Sequence, residues 1–154
     1  MRRRRPEKRE ILPDPVYSNL LVAKFVNYIM NNGKKGVAEK IFYSAMELVH
    51  KKTKTDGIKI FKKGIENTSP SVEVKSRRIG GATYQVPIEV PKKRAFYLAS
   101  LLIINASKNS SGKPMSEKLA SELIAAANGD GNAIKKKEDT HRMADANKAF
   151  AHFR

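Results

Sequence analysis

The sequence predicts a mainly α-helical domain of six helices with one protruding two-stranded antiparallel β-ribbon between the third and fourth helices. Apolar residues recur at helical spacing through most of the chain. The exception is the stretch 72–90, where two strand-like runs flank Gly80-Gly81, and Gly-Gly favours a two-residue hairpin turn because both positions need a positive φ. With 154 residues, 40% of them hydrophobic, the chain is sized for one domain, 1–154.

Each helix is predicted from its apolar stripe and its end signals. Asn31-Asn32-Gly33 ends the first helix, Pro70 prevents continuation of the third, and Asn128-Gly129 closes the fifth. The fourth helix is apolar on nearly all sides, which indicates a central, buried helix. The predicted helices cover residues 18–30, 35–51, 57–67, 95–104, 116–128 and 133 to the end.

The apolar stripes of the second and sixth helices predict which of their residues face the core. In the second helix they are Val37, Ile41, Ala45 and Leu48, widened by Ala38, Phe42 and Val49. In the sixth helix they are Met143, Ala146, Phe150 and Phe153. Both sets follow the period of an α-helix.

The predicted ribbon has an apolar base and a basic, aromatic tip. The turn imposes a register that pairs Ile79 with Ala82, Arg77 with Tyr84, and Lys75 with Val86. The base consists of Val72, Val74, Ile88 and Val90, and the tip half carries Lys75, Arg77, Arg78 and Tyr84. An isolated hairpin is marginal in water, so we expect the base to pack on helices. Arginine and lysine beside an aromatic ring suit phosphates and bases, so we expect the tip to point outward toward a nucleic acid.

The charge of the chain also indicates a polyanionic partner. Lys and Arg number 31 and Asp and Glu 15, which gives a net charge of +16. The excess positive charges repel one another unless a polyanion is near. Nucleic acid is the first candidate for that polyanion. The longest apolar run, 95–104, is too short to span a bilayer, so no membrane partner is expected. Residues 1–15 form a basic arm that we expect to order on its partner.

Several classes of site are absent from the sequence. There are no cysteines, which excludes disulfides and thiolate chemistry and fits a reducing cytoplasm. The basic start has no apolar core and is not read as a signal peptide. None of His50, His141 and His152 has the spacing of a zinc motif, and the stretch 128–139 lacks the glycine that a calcium loop needs at its sixth position. We therefore expect no catalytic residues, no metal site and no cofactor.

The basic residues fall into groups spread along the chain, as suits a folded RNA with several phosphate surfaces. Tyr84 and Gln85 are candidates for contacts beyond the phosphates. The predicted RNA-binding residues are Arg2, Arg3, Arg4, Arg5, Lys8 and Arg9 in the arm, Lys34 and Lys35, Lys75, Arg77, Arg78 and Tyr84 in the ribbon, Lys92, Lys93 and Arg94, Lys108 and Lys113, and Lys135, Lys136 and Arg142.

Four segments resemble the bacterial form of the small-subunit ribosomal protein seven family. They are LPDPVY at 12–17, KFVNYIM at 24–30 followed by GKK at 33–35, RRIGGATYQVP at 77–87, and EDTHRMA at 138–144 continuing as NKAFAH at 147–152. The resemblance covers nearly the whole length of the chain.

The resemblance implies a structural constituent of the small ribosomal subunit in the cytoplasm. It implies a primary ribosomal RNA-binding protein that nucleates assembly of the subunit head and lies at the subunit interface, near the decoding region. It further implies that the ribbon reaches exit-site transfer RNA, that proteins nine and eleven of the small subunit are neighbours, and that its own messenger RNA is a second ligand in some members.

The chain departs from the family pattern at two places. Members usually carry an Arg-Trp pair within the fourth helix and more arginines just after it, where this chain has SLLIINASK at 100–108. Many members also continue beyond the position of Arg154. RNA contacts from either segment are therefore not carried over.

Two other functions are open from the residues alone. One is an architectural DNA-binding protein that uses the ribbon as an arm, although Gly80-Gly81 beside Ile79 offers no proline wedge to insert between bases. The other is an RNA-processing enzyme that uses His141 or His152, although no carboxylate pair or activated nucleophile accompanies them.

Overall fold

The computed structural model describes residue 7 and residues 9–153. Within them lie six α-helices, one two-stranded antiparallel sheet and one 3-10 helix. The sheet stands between the third and fourth helices, which confirms the predicted fold class. In chain order the elements are α1 (Leu20–Ile29), α2 (Lys35–Thr53), α3 (Gly57–Thr68), β1 (Val72–Ile79), β2 (Ala82–Glu89), α4 (Lys92–Asn109), α5 (Met115–Ala127), α6 (Asn132–Ala146) and the 3-10 helix (Lys148–Phe153).

The chain divides into two compact units, residues 1–39 and residues 40–154. In the first unit, α1 begins where the Asn19 side chain accepts a hydrogen bond from the Leu21 N–H at 2.8 Å. Such a cap satisfies an amide that has no partner within the helix. Before it, the buried Asp14 carboxylate accepts the N–H groups of Val16 and Tyr17 at 3.1 and 2.9 Å. These caps fix the turn that leads into α1.

In the second unit, α4 packs against α3, α5 and α6, and α3 packs against α5. Ile103 and Ile104 of α4 are buried, in agreement with the central helix that the sequence predicts. Phe42 and Phe61 meet edge to face with ring centroids 5.5 Å apart. Full burial of each such ring stabilises the fold by about 1.5–3 kcal/mol.

The buried face of α2 keeps Ala38, Phe42, Ala45 and Val49 of the predicted set and differs from it at Val37 and Met46. Val37 is 56% exposed, whereas Met46, absent from the predicted stripe, is buried. The buried residues of α2 are Ala38, Phe42, Ala45, Met46 and Val49. The apolar arc of this helix is wide enough to contain two neighbouring stripes at helical spacing. The packing of the second unit selects the one that holds Phe42.

The sixth helix ends earlier than predicted. It stops at Ala146, where the Asn147 side chain donates to the Met143 carbonyl at 2.8 Å, and a 3-10 helix follows. Asparagine competes for backbone groups in this way and weakens a helix interior. The predicted stripe is wrong for Met143, which is 54% exposed, and for Ala146, which is also exposed. The residues of α6 that are buried instead are Ala133, Ile134 and Ala144.

A carboxylate of α5 fixes the start of α6. Glu122 accepts a hydrogen bond from the Ala133 N–H at 2.7 Å. Gly131 precedes the helix with φ of 101°, and a Cβ there would lie 2.9 Å from the Glu122 carboxylate. Only glycine fits both the backbone angle and the close approach. The backbone of the first turn of α6 is therefore held against α5.

Candidate nucleic-acid interface

The ribbon has the register that the sequence predicts. Ile79 pairs with Ala82, Arg77 with Tyr84, and Lys75 with Val86, and the turn residues Gly80 and Gly81 have φ of 57° and 90°. Arg77 and Arg78 are both exposed at the tip. Because successive side chains of a strand project to opposite faces, Arg77 lies on the face that carries its partner Tyr84, and Arg78 lies on the other face.

The ribbon is anchored along its length as well as at its base. It packs on α6 and on the 3-10 helix. The Tyr84 and Phe150 rings are tilted at 52° with centroids 5.1 Å apart, and Val86 is fully buried. At the root, the Ser71 N–H donates to Nε2 of His141 at 3.2 Å. The predicted apolar base therefore continues into the tip half at Tyr84, whose ring is half-buried against Phe150.

A carboxylate on β1 joins two of the predicted RNA-binding cations. Nε of Arg94 lies 3.1 Å from each oxygen of Glu73, and its Nη2 lies 3.0 Å from Oε2. Nζ of Lys75 lies 3.3 Å from Oε1 of the same carboxylate. The guanidinium of Arg94 also lies over the Tyr97 ring, 5.8 Å from its centroid. We call Glu73, Lys75 and Arg94 the ribbon-root cluster.

The ribbon-root cluster shifts the pKa of its members in opposite directions. The hydrogen bonds from Arg94 lower the pKa of the Glu73 carboxyl, and Lys75 adds to this, while burial acts against it. The hydrogen bonds and charge of Glu73 raise the pKa of Arg94. Glu73 is only 12% exposed, whereas Lys75 and Arg94 are 53% and 44% exposed. Both cations can therefore reach an external phosphate while Glu73 holds them in place.

The basic cluster that the sequence places before the fourth helix lies within that helix. α4 begins at Lys92, directly after Pro91, so Lys92, Lys93 and Arg94 form its first turn. Proline with its fixed φ is suited to a helix start. Sequence reasoning placed the start at Ala95 because the apolar pattern begins there. Lys92 and Lys93 are exposed.

The basic groups of α6 and of the loop after α4 are exposed with few partners. Lys135 and Lys136 are exposed on the first turns of α6, and Arg142 lies 3.8 Å from Asp139, a weak ion pair. Lys108 and Lys113 are exposed as well. The neighbouring Lys137 differs, because its ammonium donates to the backbone carbonyl of Asn67.

The first unit presents its own basic groups. Lys34 and Lys35 are exposed after α1, and Lys35 lies 3.7 Å from Glu39. Arg9 is exposed, whereas the predicted contacts of residues 2–5 and residue 8 fall outside the described residues. The assignment of these residues to RNA binding stays a prediction.

Sequence reasoning missed Glu73, His141 and Phe150 as residues that position the site. Glu73 bonds an arginine 21 residues later, and His141 bonds a backbone amide 70 residues earlier. Contacts between residues so far apart in the chain leave no signal in a local sequence pattern. The sequence predicts Phe150 as helical core, whereas α6 ends before Asn147 and Phe150 packs on Tyr84 of the ribbon.

Among the described residues, no three His, Cys, Asp or Glu side chains are grouped to hold a metal ion. None of the described helices is long and apolar enough to cross a membrane. Exposed cations on a ribbon, on the first turn of α4 and on α6, in a chain of net charge +16, define a nucleic-acid-binding protein.

Comparison with known proteins gives the family. The family model described as ribosomal protein S7p/S5e matches residues 1–148. Small ribosomal subunit protein uS7 of Thermotoga maritima is 56% identical over 154 residues, which is 100% of this chain and 99% of its own. The uS7 protein of an Anaeromyxobacter strain is 58% identical over 153 residues, 99% of this chain and 98% of its own. The chain therefore belongs to the S7p/S5e family of ribosomal proteins.

Membership confirms the resemblance read from the sequence. The protein is a structural constituent of the small ribosomal subunit and binds its ribosomal RNA, and its place is the ribosome of the cytoplasm. The family is structural, so the predicted absence of enzymatic activity is confirmed as well.

Proposed function

We propose that this protein nucleates assembly of the head of the small subunit by binding its ribosomal RNA directly. The observation that carries the proposal is the pair of exposed arginines on opposite faces of an anchored ribbon. Arginine binds phosphate bidentately, so the tip can contact RNA on both faces at once. A ribbon held on α6 and the 3-10 helix positions those contacts with little loss of conformational freedom on binding.

Two RNA surfaces, one on each face of the tip, correspond to the location that the family resemblance implies. One is ribosomal RNA of the head and the other is exit-site transfer RNA, at the subunit interface near the decoding region. Small-subunit proteins nine and eleven are the proposed protein neighbours. The protein's own messenger RNA is a further proposed ligand.

The proposed RNA contacts are the basic residues of the arm and the exposed basic groups that the structure describes in both units. The arm and the groups at Lys34, Lys92 and Lys135 supply phosphate contacts, which give affinity and register. The ribbon-root cluster adds Lys75 and Arg94, held in position by Glu73. Tyr84, half-buried against Phe150, is a further proposed contact.

The test is a binding titration against head-domain ribosomal RNA with transfer RNA, duplex DNA and the protein's messenger RNA as competitors, at two salt concentrations. We expect tight binding to head-domain RNA that duplex DNA does not displace. Equal affinity for all four nucleic acids would mean that the +16 charge binds any polyanion without specificity. Preference for duplex DNA would favour an architectural DNA-binding function instead.

The matched variants for this titration lie at the tip. Arg77→Ala with Arg78→Ala should weaken RNA binding while leaving thermal unfolding cooperative, because both side chains lie outside the core. The control is Lys51→Ala with Lys52→Ala, two exposed lysines of α2 outside the predicted site. If the control variant lost as much RNA affinity, the ribbon tip would have no special role in binding.

A further inference from the structure

A groove between α4 and α6 contains residues that the RNA-binding prediction did not use. Its volume is about 500 Å³, within the range of about 300–1,000 Å³ that small ligands occupy. Its walls come from two packed helices, and the start of α6 is fixed by Glu122. The lining residues are Leu102, Asn105, Ala106, Asn109, Asn132, Lys135, Lys136 and Asp139.

Three side-chain amides converge on this groove from two helices. Asn105 and Asn109 lie one turn apart on α4, and Asn132 is the first residue of α6. All three are exposed, and within residues 9–153 none of their side chains hydrogen-bonds to the protein. Each amide has two N–H donors and a carbonyl acceptor. Donors and acceptors of this kind match the edges of nucleic-acid bases.

The floor and the rim of the groove have different characters. Leu102 is half-buried and Ala106 is 7% exposed, so they offer an apolar surface to a flat ring. Lys135 and Lys136 are exposed at the rim. Within residues 9–153, the ion pair of the Asp139 carboxylate is the weak contact with Arg142. A phosphate is therefore favoured at the lysines and disfavoured at Asp139, where a base amino group is accepted instead.

We propose that this groove binds one unpaired nucleotide of the ribosomal RNA, with its base on Leu102 and Ala106. The asparagine amides contact the edge of the base, and Lys135 and Lys136 contact its phosphate. Unpaired bases in loops and bulges are the parts of RNA that proteins read by sequence. The inference rests on the proposed RNA binding and adds to it a base-reading site on rigid helices.

The first test compares variants in titrations with head-domain ribosomal RNA. Asn105→Ala with Asn132→Ala should weaken binding about 5- to 150-fold, since a base contact of this kind is worth about 1–3 kcal/mol. The slope of log affinity against log salt should not change, because no phosphate contact is lost. Alanine is favourable in a helix, so the fold should persist, as circular dichroism would verify.

Two controls separate base contact from phosphate contact. Lys135→Ala with Lys136→Ala should reduce the salt slope by about 1–2 instead. Asn31→Ala removes an exposed amide outside the groove and should bind like the unchanged protein. An equal loss in Asn31→Ala would overturn the assignment of the groove.

The second test is chemical probing of the bases in the same complexes. Dimethyl sulfate and a carbodiimide together report on all four bases. One unpaired base should be protected in the complex of the unchanged protein and reactive in that of the asparagine variant. Unchanged affinity and no newly reactive base would overturn the nucleotide site while leaving the proposed function intact. If the unchanged protein fails to prefer head-domain RNA over duplex DNA, both proposals are overturned.

Discussion

Glu73 sets the geometry at the root of the ribbon although it has the wrong charge to bind RNA. Its carboxylate holds Arg94 bidentately and contacts Lys75, and its side chain is 12% exposed. An arginine that is held in one orientation loses less freedom when it meets a phosphate. The acidic residue thus acts as a positioning residue for two cations.

We expect Glu73→Gln to reduce the free energy of unfolding at neutral pH by about 1 kcal/mol, because solvent screens the half-exposed partners of the carboxylate. The pKa of Glu73 is lowered in the folded state. Its contribution is therefore present above the ordinary glutamate pKa and is lost as the pH falls through the lowered value. Urea unfolding between pH 7 and pH 3 measures this.

The matched control for that experiment is Glu47→Gln on the exposed side of α2. It should change stability little at either pH. If Glu73→Gln loses stability to acid as steeply as the unchanged protein does, the ion pair is not the source of the pH dependence.

At the scale of elements, the 3-10 helix acts as a support for the ribbon. Phe150 packs on Tyr84, and His141 of α6 accepts the Ser71 amide at the ribbon root. An aromatic pair of this geometry adds about 0.5–1.5 kcal/mol beyond the area that it buries. A two-stranded ribbon is marginal alone, so these contacts determine whether it is ordered in the free protein.

Phe150→Ala should loosen the ribbon without unfolding the helices. We expect faster amide hydrogen exchange in β1 and β2, since opening of the ladder no longer breaks the Tyr84 contact. Exchange in α4 and α5 should stay slow. Met143→Ala, which removes an exposed side chain of α6, is the control. Unchanged ribbon protection in Phe150→Ala would show that the base alone orders the ribbon.

The elements also show what local sequence could and could not predict. The register of the ribbon was predicted in full, because a Gly-Gly turn leaves one alignment of strands. The helices existed where their stripes indicated. The exposure of Val37, the burial of Met46 and the early end of α6 were missed, because tertiary packing selects between neighbouring stripes and a single Asn147 decides a helix end.

At the scale of the whole molecule, the positive charge is spread over both units. Residues 1–39 contribute the arm and Lys34–Lys35, and residues 40–154 contribute the ribbon and the starts of α4 and α6. The basic character of the site was predictable from composition. Which cations are held by protein partners, such as Arg94 by Glu73, was not, because these contacts join residues far apart in sequence.

Deleting residues 2–9 should weaken binding to head-domain RNA and leave the helix content unchanged. If the unchanged protein neutralises about 6–10 phosphates, its affinity should fall about 10³- to 10⁵-fold between about 50 and 200 mM salt. The deletion should make that dependence shallower. Circular dichroism and titrations at two salt concentrations measure both effects, and an unchanged affinity at about 150 mM salt, where the Debye length is about 8 Å, would contradict the role of the arm.

The anchoring of the ribbon has a consequence for synthesis. His141 is 70 residues later than the Ser71 amide that it binds, and Phe150 is later still. At about 5–20 residues per second, roughly 4 to 14 seconds separate the appearance of the ribbon from that of its support. During that interval β1 and β2 are already synthesised, but the side of the ribbon that packs on α6 and the 3-10 helix is still uncovered. The ribbon is therefore among the last parts of this protein to reach its final form.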